Sequence, residues 1–269
     1  MLDGLTNLPA SLPLGIDDGL IPIALLGGVL LLIGGAIGAS LYFEKKRREA
    51  LRAFAEEAGL RFAPDAPAPA AFQNFELSQK GHSQRCRNLI EGDTDAVTLD
   101  LFDWHYTTGG GKNASHHRQT VVTLGSPDLA ALPQLTLGPE SVFHRIGGAF
   151  GYQDIDFGDH PAFSKAYLLR GANEDAIRRL FDDELIAFLQ DEAAGKREIE
   201  LAGGHLLVYR AGKKVAPDEL RDLMATGLRY LKAMQAAAAR TGFASADGRL
   251  ATTADGYAAS IDPSDDLSI

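Results

Sequence analysis

The chain has 269 residues, 45% hydrophobic and 23% charged, enough for one substantial folded domain with accessory segments. Its formal net charge of −10 argues against nucleic-acid binding, which needs a clustered excess of Lys and Arg to neutralise phosphates. The single cysteine, Cys86, excludes an intrachain disulfide, a CxxC redox motif and a Cys-rich zinc site, and fits a reducing compartment.

Residues 1–19 carry three Asp and no Lys or Arg, and read as a short extracytoplasmic N-terminus. From Leu20 to Phe43 no residue is charged. As a helix rising ~1.5 Å per residue this run is ~36 Å long, enough to cross a ~30 Å hydrocarbon core with some tilt. Pro22 falls in the first turn, where its missing N–H is tolerated. A cleaved signal peptide would need a positive segment before the apolar run, and there is none. Lys45, Lys46, Arg47 and Arg48 follow at once. They predict a topology anchor in the plasma (inner) membrane, with the N-terminus outside and the C-terminal bulk in the cytoplasm. The same cations would attract anionic headgroups. Gly34 and Gly38 form a G-x-x-x-G that would let two such helices approach closely, so the expected partners include the bilayer and a second copy.

Residues 44–71 read as a basic juxtamembrane helix with an apolar stripe of Leu51, Phe54, Ala55 and Ala58, capped at Gly59, then a Pro/Ala linker. A single cytoplasmic domain is expected over 72–240. In "VTLDLFDWHYTT", Val97, Leu99 and Leu101 alternate with Phe102, Trp104 and Tyr106, the mark of a strand with two apolar faces. "HRQTVVTLG" matches it, with "GGGKNAS" as the hairpin loop between. "QRCRNLIEGD" before and "LPQLTLGP" after would extend this pair into an antiparallel meander. "ESVFHRIGGAF" predicts a short helix with Val142, Phe143 and Ile146 on one side, and "AFSKAYLLRG" a strand. "NEDAIRRLFDDELIAFLQDEA" predicts a helix begun by Asn173 and broken at Asp182 and Asp183. "REIELAGGHLLVYRAG" is a hairpin turning at Gly203 and Gly204. "APDELRDLMATGLRYLKAMQAAAA" is a closing helix with Leu220, Leu223, Leu228 and Leu231 inward. Residues 241–269, small, polar and acidic, read as a disordered tail. The fold class is therefore α+β, with a mostly antiparallel sheet and flanking helices.

Three motifs invite chemistry. Gly111-Lys112 resembles part of a phosphate loop, but Asn113 replaces the required hydroxyl and Tyr106 the first glycine, and a strand follows instead of a helix. The loop is better read as a corner, its glycines supplying positive φ. Asp103, His105 and His117 border that loop and form the candidate metal ligands, with His116 pointing the opposite way from His117 and His82 nearby. Asp154, Asp156, Asp159 and His160 crowd one loop, yet an EF-hand fails, since the positions for its Gly and bidentate Glu hold Asp159 and Lys165. No G-x-S-x-G, H-E-x-x-H or kinase signature appears. Cys86 alternates with Arg85 and Arg87 and reads as a small buried hydrophobe.

The stretches "YFEKKRREAL", "RNLIEGDTD", "FDWHYTTGGGKNASHHRQTV", "FHRIGGAFGYQDIDF" and "HPAFSKAYLLRG" resemble a bacterial family with an N-terminal membrane helix and a cytoplasmic domain of unknown function. The resemblance spans roughly residues 42–235, supports membrane anchoring and supplies no catalytic residue. Two functions stay open. One is a membrane-anchored module that binds a protein, peptide or small ligand and needs no cofactor. The other is a membrane-tethered metal-dependent hydrolase using His105, Asp103 and His117.

Overall fold

The computed structural model describes residues 20–140 and 154–243. The expectations for residues 1–19, for the helix around Val142, Phe143 and Ile146, and for the tail beyond Phe243 lie outside the described residues. The chain divides into two units between Arg47 and Arg48.

Helix α1 runs from Leu20 to Glu57. From Gly28 to Phe43 every side chain is exposed, including Val29, Leu30, Leu31, Leu32, Ile33, Ile37 and Leu41. That stretch has no polar face to turn outward, and each large apolar side chain left in water forfeits about 1.5–3 kcal/mol. By length and composition this helix can cross a membrane.

The second unit is built on an eight-stranded, fully antiparallel sheet: β1 (Arg61–Ala63), β2 (His82–Asp93), β3 (Thr98–Thr108), β4 (Ser115–Gly125), β5 (Leu135–Pro139), β6 (Tyr167–Arg170), β7 (Glu198–Ala202) and β8 (His205–Tyr209). The spatial order is β1-β2-β3-β4-β8-β7-β5-β6. The expected meander is correct through β4, where it stops. The chain leaves the sheet after Gly125 in a 3-10 turn, Pro127–Leu129, and the hairpin β7–β8 takes the place beside β4 that β5 was expected to fill. The Ser126 amide donates to Gly204 O at 3.1 Å, carrying that pairing past the strand end.

One sheet face packs Leu99, Leu101, Val122, Leu124, Ile199, Leu201, Leu206 and Val208 into the main core. Helices α3 (Pro161–Ala166), α4 (Glu174–Leu180), α5 (Asp183–Glu192) and α6 (Leu220–Arg240) supply its other side, with Leu51, Phe54 and Ala55 from the end of α1. Asn173 Oδ1 accepts the Ala176 amide and Asp182 Oδ1 the Leu185 amide, so each helix of the broken pair has its own cap. "AFSKAYLLRG" corrects to a helix-to-strand switch: Pro161 opens α3, Phe163 is buried, and the backbone becomes extended only at Tyr167. Phe243, assigned to the tail, is buried beneath the Arg179 guanidinium, 3.9 Å from its ring centroid.

The opposite face carries Phe102, Trp104, Tyr106, Val121, Leu207 and Tyr209. Phe72 and Phe75, on and after a 3-10 turn at Ala70–Asn74, and Leu77 in the short helix α2 (Glu76–Gln79) cover it. Phe72 is fully buried, edge-on to Phe102 at 5.0 Å and to Trp104 at 4.7 Å. Residues 61–63 and the stretch leading to Phe72 thus contribute a strand and a cover to the fold.

Candidate functional site

The β3–β4 register settles which hairpin residues meet. Thr108 pairs with Ser115, Tyr106 with His117, His105 with Arg118 and Asp103 with Thr120. Directly paired residues share a face, so Asp103 and His105 lie on one side and His117 on the other. His117 stacks on Tyr106, with ring centroids 4.6 Å apart, and its Nε2 is 2.8 Å from Thr108 Oγ1. Burial, then His116 and Lys80, push its pKa down. The residue that joins the face of His105 is His116, whose Nδ1 lies 3.1 Å from Thr107 Oγ1. The three expected ligands therefore do not converge. Among the described residues no group of three His, Cys, Asp or Glu side chains is arranged to hold a metal.

Asp103 has a different task. It is 1% exposed, and its carboxylate accepts from Asn88 Nδ2 at 3.1 Å and Thr120 Oγ1 at 2.7 Å, with Lys214 Nζ at 3.6 Å. Thr120 Oγ1 in turn accepts the Val215 amide at 2.9 Å. One carboxylate thus ties β2, β3, β4 and the 211–216 loop together.

Around this knot the sheet end is cationic. Arg85, His105 and Arg118 stand in one row across β2, β3 and β4; Arg87, Asp103 and Thr120 form the next, and His82, Thr107 and His116 the row at the end. Arg87 Nη1 is 3.0 Å from Asp65 Oδ1, and Arg48 Nη1 is 3.6 Å from Asp65 Oδ2, so Arg48, the first residue of the folded unit, belongs to the same patch. Arg85 and Arg118 are exposed. Sequence reading marked the histidines and missed the arginines, because only the register aligns them.

Beneath the cover on the other face lies an acidic cluster that sequence reading also missed. Glu200, 3% exposed, accepts the Leu77 amide at the start of α2, with 3.2 Å to each carboxylate oxygen, and the Tyr209 hydroxyl at 3.3 Å. Arg170 Nη2 is 3.5 Å from Glu76 Oε2 beside it. Burial raises Glu198 and Glu200 to about 7 against an ordinary 4.5, with Lys80 opposing the rise in both. The pattern Glu198-Ile199-Glu200-Leu201 signals only a strand with one polar face. What covers that face comes from residues more than a hundred positions away.

Other candidates are structural. Asp154 Oδ1 accepts the Leu169 amide at 3.0 Å, and His160 Nε2 lies 2.9 Å from Asp183 Oδ1. Burial pushes the half-buried Cys86 thiol up to about 12, opposite to an activated nucleophile. A cleft of ≈ 340 Å³ opens at the far sheet end, lined by Thr98, Gly125, Ser126, Gly204 and His205. On α1, a Cβ added at Gly34 or Gly38 would meet nothing within 4 Å.

No protein-family model and no curated protein matches the chain. Among solved structures, the mycobacterial trehalose monomycolate transport factor A, TtfA, shares the fold: TM-score 0.52, 13% identity, over 72% of this chain and 94% of that one.

Proposed function

We propose that this is a single-pass membrane protein whose α+β domain lies on the cytoplasmic side and acts by binding a partner. The observation that carries the reading is the fully exposed apolar helix from Gly28 to Phe43, followed immediately by Lys45, Lys46, Arg47 and Arg48. A hydrocarbon surrounding would accommodate such a surface, and the cations that follow it support a cytoplasmic C-terminal side under the positive-inside rule. The separation of His117 from Asp103 and His105 favours binding over the metal-hydrolase alternative. The fold shared with a transport factor fits a binding role, although it brings no cargo or partner with it. Two copies pairing through Gly34 and Gly38 would be compatible with this arrangement.

The test is extraction of the full-length chain from bacterial membranes. Alkaline carbonate should leave it in the pellet and detergent should release it. Replacing Leu31 and Ile33 by arginine should move the chain to the soluble fraction, since a central charge costs about 2.5–3.5 kcal/mol on insertion. Release of the native chain by carbonate alone would refute the anchor.

A further inference from the structure

We infer that the cationic end of the sheet, formed by Arg48, Arg85, Arg87, Arg118 and Lys214, docks on the anionic headgroup surface of the bilayer that α1 enters. The inference rests on the membrane-anchored reading above and adds a second, electrostatic attachment made by the folded domain itself.

Three observations carry it. The first is charge placement. The whole chain is acidic at −10, yet five basic side chains gather here, three of them paired with Asp65 or with the buried Asp103. The side chains of Arg48 and Arg87 remain 39% and 34% exposed beside Asp65, so both can also reach phosphate oxygens. The second is register. Arg85 and Arg118 flank His105 in a single row, with Arg87 in the next, so the positive groups form a surface and not a point.

The third is tethering. Arg48 begins the folded unit five residues after Phe43, the last apolar residue of the run. Five residues reach at most ~18 Å when extended and ~7.5 Å as helix. The pull of an anionic surface fades over a Debye length of ~10 Å at 0.1 M salt, so the tether holds this end of the patch within range at high effective concentration. A nucleic acid is the less suitable occupant. The remaining chain is acidic, and the aromatics a strand of bases would stack on, Trp104 and Tyr106, are buried on the opposite face.

The experiment uses the full chain with Cys86→Ala, placed in lipid nanodiscs of phosphatidylcholine alone or mixed with phosphatidylglycerol. A bimane fluorophore on Asn113→Cys, in the hairpin loop, reports quenching by headgroup spin-labelled lipid. The same label on Asp191→Cys, exposed on α5, is the control. Docking predicts strong quenching at 113 only with phosphatidylglycerol, relieved by salt, with little at 191. Arg85→Glu with Arg118→Glu should weaken the docking equilibrium by roughly fivefold for each cation removed, read as a fall in quenching at 113. Trp104 emission checks that the variant is folded, and Arg85→Gln with Arg118→Gln repeats the test should the reversal unfold it. A chain that fails to co-elute with nanodiscs refutes the anchor, and the docking with it. A chain that co-elutes but shows equal quenching in both lipids, or quenching indifferent to salt and to the substitutions, overturns the docking alone.

Discussion

Replacing Glu200 by glutamine removes one proton-binding site from beneath the aromatic cover while leaving an oxygen to accept the Leu77 amide. In the folded chain burial holds the Glu200 carboxyl at about 7, against 4.5 for the ordinary group. The unfolded chain therefore releases this proton near pH 4.5 and the folded chain only near 7. Between those values the folded state binds the extra proton, so its stability falls as pH rises, and the loss is complete above about 7. At about 1.4 kcal/mol per pH unit, the span from 4.5 to 7 corresponds to about 3 kcal/mol. Glu198, held at about 7 for the same reason, contributes with the same sign in native protein and variant alike. Trp104, the single tryptophan, is buried against Phe72 and reports unfolding in urea. Near pH 5 the two proteins should agree within about 1 kcal/mol, whereas near pH 8 Glu200→Gln should be more stable by about 2–3 kcal/mol. Parallel stability curves for the two proteins from pH 5 to 8 would show that Glu200 does not titrate in this window, and the argument from its burial would fail.

Phe72→Ala should empty the space between Phe102 and Trp104, lowering stability by about 3–5 kcal/mol in urea titrations and shifting native Trp104 emission to the red. Asp103→Ala withdraws the acceptor shared by Asn88 and Thr120 and should cost about 3 kcal/mol, whereas loss of stoichiometric zinc from the native protein on this change would revive the metal site. Asp182 behaves oppositely to Glu200. Its bonds from Arg240 depress its pKa, so its stabilisation is present above the unfolded value of 3.8 and is lost as pH falls through the lower, folded one. Asp182→Ala should therefore lower the melting temperature at neutral pH, by an amount equivalent to about 1–2 kcal/mol, with the difference shrinking in acid.

The local parts of this fold are written in short stretches of sequence. Alternation assigned Val97, Leu99 and Leu101 to one core and Phe102, Trp104 and Tyr106 to the other, as packed. Asn173 and Asp182 marked two helix starts, and Gly203 and Gly204, both at positive φ, marked a turn. What escaped depends on distant pairing. Period-two alternation reveals the faces of a strand but not its neighbours, so the insertion of β7–β8 between β4 and β5 left no local trace. The proposed ligand set failed on parity. Pairing Thr108 with Ser115 puts odd-numbered residues of β3 on the same face as even-numbered residues of β4, which brings His116 to the side of His105 and sends His117 away. The same pairing lines up Arg85, His105 and Arg118, a surface no single segment displays. Nothing in the hairpin that carries Glu198 and Glu200 signals their burial, because the residues that cover them, around Phe72 and Leu77, lie more than a hundred positions away.

Orientation across the membrane is best examined by labelling single cysteines in intact cells, in a Cys86→Ala background, with a maleimide that cannot cross the inner membrane. Ser11→Cys, ahead of the apolar run, should react in intact cells. Ser115→Cys, at the start of β4 and exposed, should react only after the inner membrane is permeabilised. Labelling of Ser115→Cys in intact cells, with Ser11→Cys protected, would reverse the topology and contradict a cytoplasmic binding domain.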